Sequence, residues 1–444
     1  MEMALKPQLS APGGTILSTW PTADGWGYAV ISGTSMATPH VAGCYALIKQ
    51  KFPNLTPQEI ASRLQDTSTP LTQYGDPGFL TTVLQQGSGL INVFKALTYD
   101  TALSPTEFNL LDSSQLREES FTIENLSGSS KTYHLANMPA AAVDALPFLD
   151  QKPVDWTWSL VNNPAYACAS FPSRTVTVGP NSKETVKVTI KPPTGLNPSK
   201  LPTYGGYILV TDGEKQYVIP YQGVPYSRSE QQTLDTSNLS NITTKPLPPA
   251  GIPNVPLVRA IDINRRDNDL MTFTFPAWAP PPDSDEDQDD DNNPLFFFVL
   301  RQPSPYLRLD AVSVDLADTF TPSSLGYDPT VKFTTNKPAL PFDETFAGVP
   351  SYGMVFSLVG GFDKPPSRFQ EIYGGYGQYG FQWSWAEVAL SNGTLLQLPN
   401  ADYRVLIRAL KWGYDVEDAN GYESWLSPIL RVNISDPGYP NPYN

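Results

Sequence analysis

The stretch that constrains this chain most is residues 36–51, "MATPHVAGCYALIKQK". Its spacing predicts a helix, and Ala37, Val41, Ala42, Cys44, Tyr45, Ala46, Leu47 and Ile48 leave that helix apolar nearly all round. Such a helix expects burial on every side. Short strand-like runs precede it at 15–20 (TILSTW) and 28–31 (YAVI), and a second helix starts at Thr56-Pro57-Gln58-Glu59. Thr56 can cap that helix, Pro57 suits its first position, and Glu59 completes a capping box. It is expected to run to about Asp66. Strands alternating with helices belong to α/β architecture. Two strands and two or three helices do not complete such a domain, so residues 1–100 are read as part of one.

From residue 101 the pattern changes to short alternating strands with turn signals. The clearest are 120–124, 132–136, 175–178, 185–190, 207–211 and 217–220, with Gly179-Pro180-Asn181 separating two of them. This predicts a β-sandwich over 101–226. Residues 227–253 are polar and proline-rich and read as a linker. A second β region covers 254–444, with strands expected at 271–275, 295–300, 307–314, 355–359 and 403–410. Composition agrees with a β-rich, loop-rich chain: 45 of 444 residues are proline and only 16% are charged, against ordinary values near 5% and roughly 25%. No tandem repeat is visible.

Several function classes are disfavoured. A net charge of −15 repels phosphate backbones and anionic lipid, so nucleic acid is not expected as a partner. No apolar run reaches the ~18 residues of a membrane span. Cys44 and Cys168 are the only cysteines, and there are two histidines; a disulfide framework is excluded, and a zinc site would need more ligands. Within the acidic run 283–293, "DSDEDQDDDNN", Asp285, Asp287 and Asp289 have the spacing of a calcium loop. Asp290 stands where that loop needs glycine and Phe296 where it needs glutamate, so a solvated acidic loop is expected. No metal or other cofactor is therefore assigned. Six N-x-[ST] sequons, at Asn54, Asn125, Asn238, Asn241, Asn392 and Asn433, lean toward an extracellular setting. The opening Met1-Glu2-Met3 leads into a proline turn with no signal-peptide pattern.

The chemistry lies in "YAVISGTSMATPHVAG", residues 28–43, where a strand ends and a helix begins at a serine. Gly33 is read as supplying unusual dihedrals for a tight turn. Ser35 falls at or just inside the helix N-terminus, where free N–H groups and the positive dipole end meet its hydroxyl. Its own N–H can serve as one oxyanion donor. Pro39 is read as early enough in the helix for its missing N–H to cost little. A serine that merely caps a buried helix accounts for the same local pattern.

"GTSMATPHVAG" is similar to the nucleophile motif of the subtilisin-like serine peptidases. "KPQLSAPGGTILSTWP" (6–21) resembles the segment that precedes it in large secreted members, with Gln8 where they usually carry Asp. "QQGSGLINVFKAL" (85–97) resembles the end of their catalytic domain. The β regions resemble the fibronectin-type modules that follow it, as in large fungal members. The resemblance implies a partial α/β subtilisin-like fragment followed by two all-β fibronectin-like sandwiches. It implies Ser35 as nucleophile, protein or peptide substrates, and a secreted or cell-surface location. Calcium is possible in the complete family, with ligands mostly outside this chain.

The family's partners for the serine, an Asp and then a His, should precede it. Only Asp24 does so, in "TADGWG", and no histidine does. His40 lies five residues beyond Ser35 on the same helix, turned away from it; the resemblance implies that it packs behind the serine. His134 lies in an expected sandwich strand, and its use would require two separate domains to meet. The second oxyanion donor is absent too. Losing the base alone costs about 10⁶ in turnover, a magnitude established for subtilisin itself rather than derived from this sequence. The chain is read as the C-terminal portion of a longer peptidase, inactive alone, with substrate-binding residues not identifiable. Ala37, Val41, Tyr45 and Ile48 are expected to meet water without the rest of that domain. The other reading is a non-catalytic β-module protein that binds or adheres to a partner.

Overall fold

The computed structural model describes residues 5–24, 27–73, 76–112, 118–144, 161–163, 165–234, 257–259, 270–275, 294–302, 304–359, 378–383 and 386–434. The acidic run 283–293, residues 235–253 of the expected linker, and the sequons at Asn238 and Asn241 lie outside them. The described residues form two compact units, one ending at Ser227 and one beginning at Arg228.

The first unit opens with an antiparallel hairpin of β1 (Ile16–Thr19) and β2 (Tyr28–Ile31). Four helices follow: α1 (Thr34–Lys51), α2 (Pro57–Asp66), α3 (Val83–Gln86) and α4 (Val93–Thr98). The capping box of α2 forms as the sequence predicts. Glu59 N donates to Thr56 Oγ1 at 3.2 Å, and Thr56 N donates to Glu59 Oε2 at 2.7 Å. Cys44, Ile48, Ile60, Leu64, Ile91 and Ala96 make a small core where α1 meets α2 and α4. The expectation that α1 is buried on every side is not met. Only Cys44 and Ile48 of its side chains are fully buried, and Leu47 is 48% exposed. Conversely, Ile48 does not meet water, because α2 and α4 cover that stripe. Ala37, Val41 and Tyr45 are half-buried.

The remaining strands of this unit are β3 (Thr72–Gln73), β4 (Asp76–Leu80), β5 (Thr101–Ser104), β6 (Phe108–Asp112), β7 (Glu119–Asn125), β8 (Lys131–Asp144), β9 (Val161–Asn163), β10 (Cys168–Ser170), β11 (Thr175–Val178), β12 (Ser182–Lys191), β13 (Pro202–Asp212) and β14 (Lys215–Val224). One sheet runs β10-β12-β7-β5 and the other β3-β4-β8-β13-β14-β6, with β9 and β11 also paired to β8. Side chains alternate across each strand. Tyr204, Ile208 and Val210 of β13, with Tyr217, Ile219 and Tyr221 of β14, face Phe121, Ile123, Val186 and Val188 in the inter-sheet core. Tyr207 and Val218 turn to the opposite face and pack with Ala140 against Leu5 and Val83. The larger sheet is thus covered twice, once by its partner sheet and once by residues that precede residue 101. Gly205 permits this, because a Cβ there would collide with the Val83 side chain. Strand β4 also joins β8 in parallel at Leu80↔Ala140.

The second unit is also β-rich. Its main sheet places Leu270–Phe275, Ile429–Ile434, Ala401–Leu410, Tyr306–Val312 and Gly353–Val359 side by side, and a smaller one joins Leu257–Arg259, Leu295–Val299 and Gln378–Gln382. Phe273, Phe275, Phe296, Trp383, Tyr403 and Trp425 fill its core. Asp310, fully buried, accepts hydrogen bonds from Arg308 Nε at 2.9 Å and Arg408 Nη2 at 2.7 Å. Arg308 also pairs with Glu344, so two carboxylates balance the two arginines inside the sheet.

Asp66, at the end of α2, is buried and ties the helical part to the sandwich. Its Oδ2 accepts from Leu103 N at 3.0 Å, and its Oδ1 has no hydrogen-bond partner among the described residues. Burial drives its carboxyl well above the ordinary aspartate range, against the lowering pull of the Leu103 N–H and the Arg63 charge. A carboxyl raised in the folded state stabilises folding at low pH, and that contribution is lost as pH rises through the folded value. Asp66→Asn mimics the neutral form. The melting temperature of the variant minus that of the wild type is expected to rise from pH 4 to pH 8; a flat or falling difference contradicts this assignment.

Candidate active site

Backbone hydrogen bonds hold the turn between β2 and α1. Thr15 N donates to Ser32 Oγ at 2.7 Å, Gly33 N donates to Gly13 O at 2.8 Å, and Met36 N donates to Gly33 O at 3.0 Å. The unusual dihedrals expected of Gly33 are not found. Its φ of 166° is extended backbone, which any residue adopts, and a Cβ there would meet nothing closer than 3.8 Å. The tight approach lies at Gly13 instead. A Cβ on Gly13 would sit 2.7 Å from Gly33 O and 3.1 Å from Ala37 Cβ, so a glycine lets the segment before β1 run against the start of α1.

Ser35 is the second residue of α1 and is exposed. No side chain caps the helix and no acidic residue stands in its first turn. Among the described residues no acceptor meets the N–H of Thr34 or Ser35, so two free donors and the positive dipole end lie beside the hydroxyl. Pro39 sits deeper than expected, as the sixth residue of α1. The N–H it lacks is the one that would reach the Ser35 carbonyl.

Neither histidine is hydrogen-bonded to Ser35 among the described residues. His40 is exposed, about 140° around the helix from Ser35, so the packed position implied by the resemblance is not found. His134 is exposed on β8, with Thr175 and Thr211 as its cross-strand neighbours. Asp24 ends a single 3₁₀ turn, Thr22–Asp24, between β1 and β2. Cys44 and Cys168 are free thiols; burial of Cys44 raises its pKa. No group of three or more His, Cys, Asp or Glu among the described residues is placed to hold a metal ion. No helix among them is long and apolar enough to cross a membrane.

The hairpin leading to Ser35 has one uncovered apolar face. Leu17 and Val30 are directly opposed, and with Tyr28 they are 68%, 57% and 66% exposed. The Asn125 sequon is structurally committed. Asn125 is fully buried, and its Nδ2, the atom a glycan would occupy, donates to the carbonyls of Ser129, Val178 and Gly179. Asn54 and Asn392 are exposed.

The sequence reading missed how residues 7–10 and 86–91 interlock. Ser88 N and Oγ both donate to Gln8 O at 2.9 Å, Ser10 N donates to Gly89 O at 2.8 Å, and Ile91 N donates to Ser10 O at 2.8 Å. The signal available was the pair of glycines in "QQGSGL". Gly87 has φ +59° and Gly89 φ +113°, and a Cβ on either would collide with backbone, that of Pro7 and Gln8 or that of Thr69. Gly87→Ala is therefore expected to destabilise the first unit by about 1–3 kcal/mol or more, read as a shift in the denaturant midpoint. An unchanged midpoint contradicts the tight approach.

Residues 1–89 match the Subtilase family, Peptidase_S8, and residues 107–226 match an Fn3-like domain. The minor extracellular protease Vpr of Bacillus subtilis is 35% identical over 139 residues, which cover 30% of this chain and 17% of that protein. Two subtilisin-like proteases of Arabidopsis thaliana are similar as well. SBT2.6 is 48% identical over 80 residues (16% of this chain, 10% of that protein), and SBT2.5 is 42% identical over 113 residues (21% and 14%). The chain thus spans about a tenth to a sixth of the length of these relatives.

Proposed function

We propose, from the match of residues 1–89 to the Subtilase family, that this chain is the C-terminal portion of a secreted serine endopeptidase whose nucleophile is Ser35. Residues 101–226 and 254–444 serve it as two fibronectin-like β modules. The observation that carries this reading is the position of Ser35: an exposed hydroxyl on the first turn of α1, beside backbone N–H groups without acceptors. In that position the Ser35 Oγ attacks a peptide carbonyl carbon. A base takes its proton and hands it to the departing amine. Water then hydrolyses the acyl-enzyme and restores the serine. The Ser35 N–H is one donor to the oxyanion.

The base and its carboxylate come from polypeptide outside these 444 residues. His40 and His134 are unsuited to the task, one by its place on the helix and the other by its place in the sandwich. The same polypeptide covers Leu17, Tyr28 and Val30, which otherwise leave apolar area in water at roughly 25 cal/mol per Å². Its substrates are proteins or peptides.

A fluorophosphonate probe separates the possibilities. The 444-residue chain alone is expected to remain unlabelled, while the native protein with its full catalytic domain is labelled and loses the label on Ser35→Ala. His40→Ala is expected to keep it. Labelling of the isolated chain at Ser35 would show that the serine is activated from within these residues. A native protein that ignores the probe favours a non-catalytic binding or adhesion role.

A further inference from the structure

The sandwich reaches the serine turn through one buried hydroxyl. Tyr207, in the middle of β13, is fully buried on the outer face of its sheet among Leu5, Val83, Ala140 and Val218. Its Oη donates to Gly87 O at 2.9 Å. Burial raises its pKa far above the ordinary tyrosine value, so it remains a donor at every working pH. Gly87 opens the turn whose next residue, Ser88, holds Gln8 O twice. Gly89 O and Ile91 N grip Ser10 on either side. Three residues on, Gly13 O accepts from Gly33 N, and Gly33 is the N-cap of the helix that presents Ser35. Every link is a hydrogen bond to backbone, and the links at Gly87 and Gly13 are pressed against neighbours that leave no space for a side chain.

We infer that Tyr207 of the Fn3-like domain is a positioning residue for Ser35, acting through the interlocked segments 7–13 and 87–91. This rests on Ser35 being the nucleophile. The Fn3-like domain then does more than follow the catalytic domain: it sets the height of the serine turn.

The test uses Tyr207→Phe, which keeps the ring and removes only the hydroxyl, and Ser88→Ala, which removes one of the two donors to Gln8 O. Tyr221→Phe is the control. Tyr221 is equally buried in the adjacent strand, but it belongs to the inter-sheet core, and its Oη donates to Asn137 Oδ1. Backbone hydrogen exchange in the 444-residue chain is expected to quicken about tenfold at Ser10, Ile91 and Gly33 in both test variants. It should stay unchanged at Val186 and Val188, and unchanged at Gly33 in the control. In the native protein with its complete catalytic domain, Tyr207→Phe is expected to lower kcat several-fold with KM unchanged, and to slow fluorophosphonate labelling in proportion. Gly33 exchange equal to wild type, or equal acceleration by Tyr221→Phe, overturns the positioning role. Labelling that Ser35→Ala abolishes and Tyr207→Phe leaves at the wild-type rate overturns it too, while the proposed function stands. A wild-type protein that is never labelled removes the proposed function and this inference with it.

Discussion

The first unit depends on one sheet being buried on both faces. Strands β13 and β14 send Tyr204, Ile208, Val210, Tyr217, Ile219 and Tyr221 into the inter-sheet core, and they turn Tyr207 and Val218 onto Leu5 and Val83. A sheet with a single buried face alternates apolar and polar residues, whereas one buried twice reads as a continuous apolar run. "YGGYILV" and "YVIPY" are such runs. The segment that carries Ser35 therefore shares a core with the sandwich, and at Gly205, the first glycine of "YGGY", the approach of Val83 leaves no space for a side chain. Through that contact the fold links a β module to the turn that presents the exposed Ser35.

Much of this was legible in the residues. The strands at 28–31 and 175–178 fall where the alternation puts them, and α2 begins at its Thr56–Glu59 capping box. These features rest on local chemistry, which short windows capture. The surroundings of α1 were not legible. Its composition demands cover on all sides, but α2 and α4 supply it only along Cys44 and Ile48. A sequence states how apolar a surface is without stating which segment lies against it. Gly33 shows a related limit. A glycine before a helix reads as a dihedral requirement, while here the spatial requirement belongs to Gly13, twenty residues earlier.

The serine motif was legible as a strand-to-helix turn, and the structure places there an exposed hydroxyl, two N–H groups without acceptors among the described residues and no acidic side chain in the first turn. The links behind it were not, because apart from the Tyr207 and Ser88 hydroxyls they are backbone-to-backbone and leave little mark on side-chain composition. Tyr207 lies 172 positions beyond Ser35 in the chain, and nothing local to either marks the connection. The same reasoning separates structural from reactive groups elsewhere. Asn125 looks like a glycan acceptor by motif and is a buried hub by geometry. Asp310, within a strand, shares with Glu344 the counter-charge for two buried arginines.

If, as proposed, Ser35 belongs to a catalytic domain completed by polypeptide outside these 444 residues, the native protein is longer than this chain. The native protein should be isolated from its source, its intact mass determined and its N-terminal peptide sequenced. The expected result is a chain extended upstream of Met1, with an aspartate and a histidine in the added part. A native protein whose mass and first peptide correspond to Met1–Asn444 would contradict it.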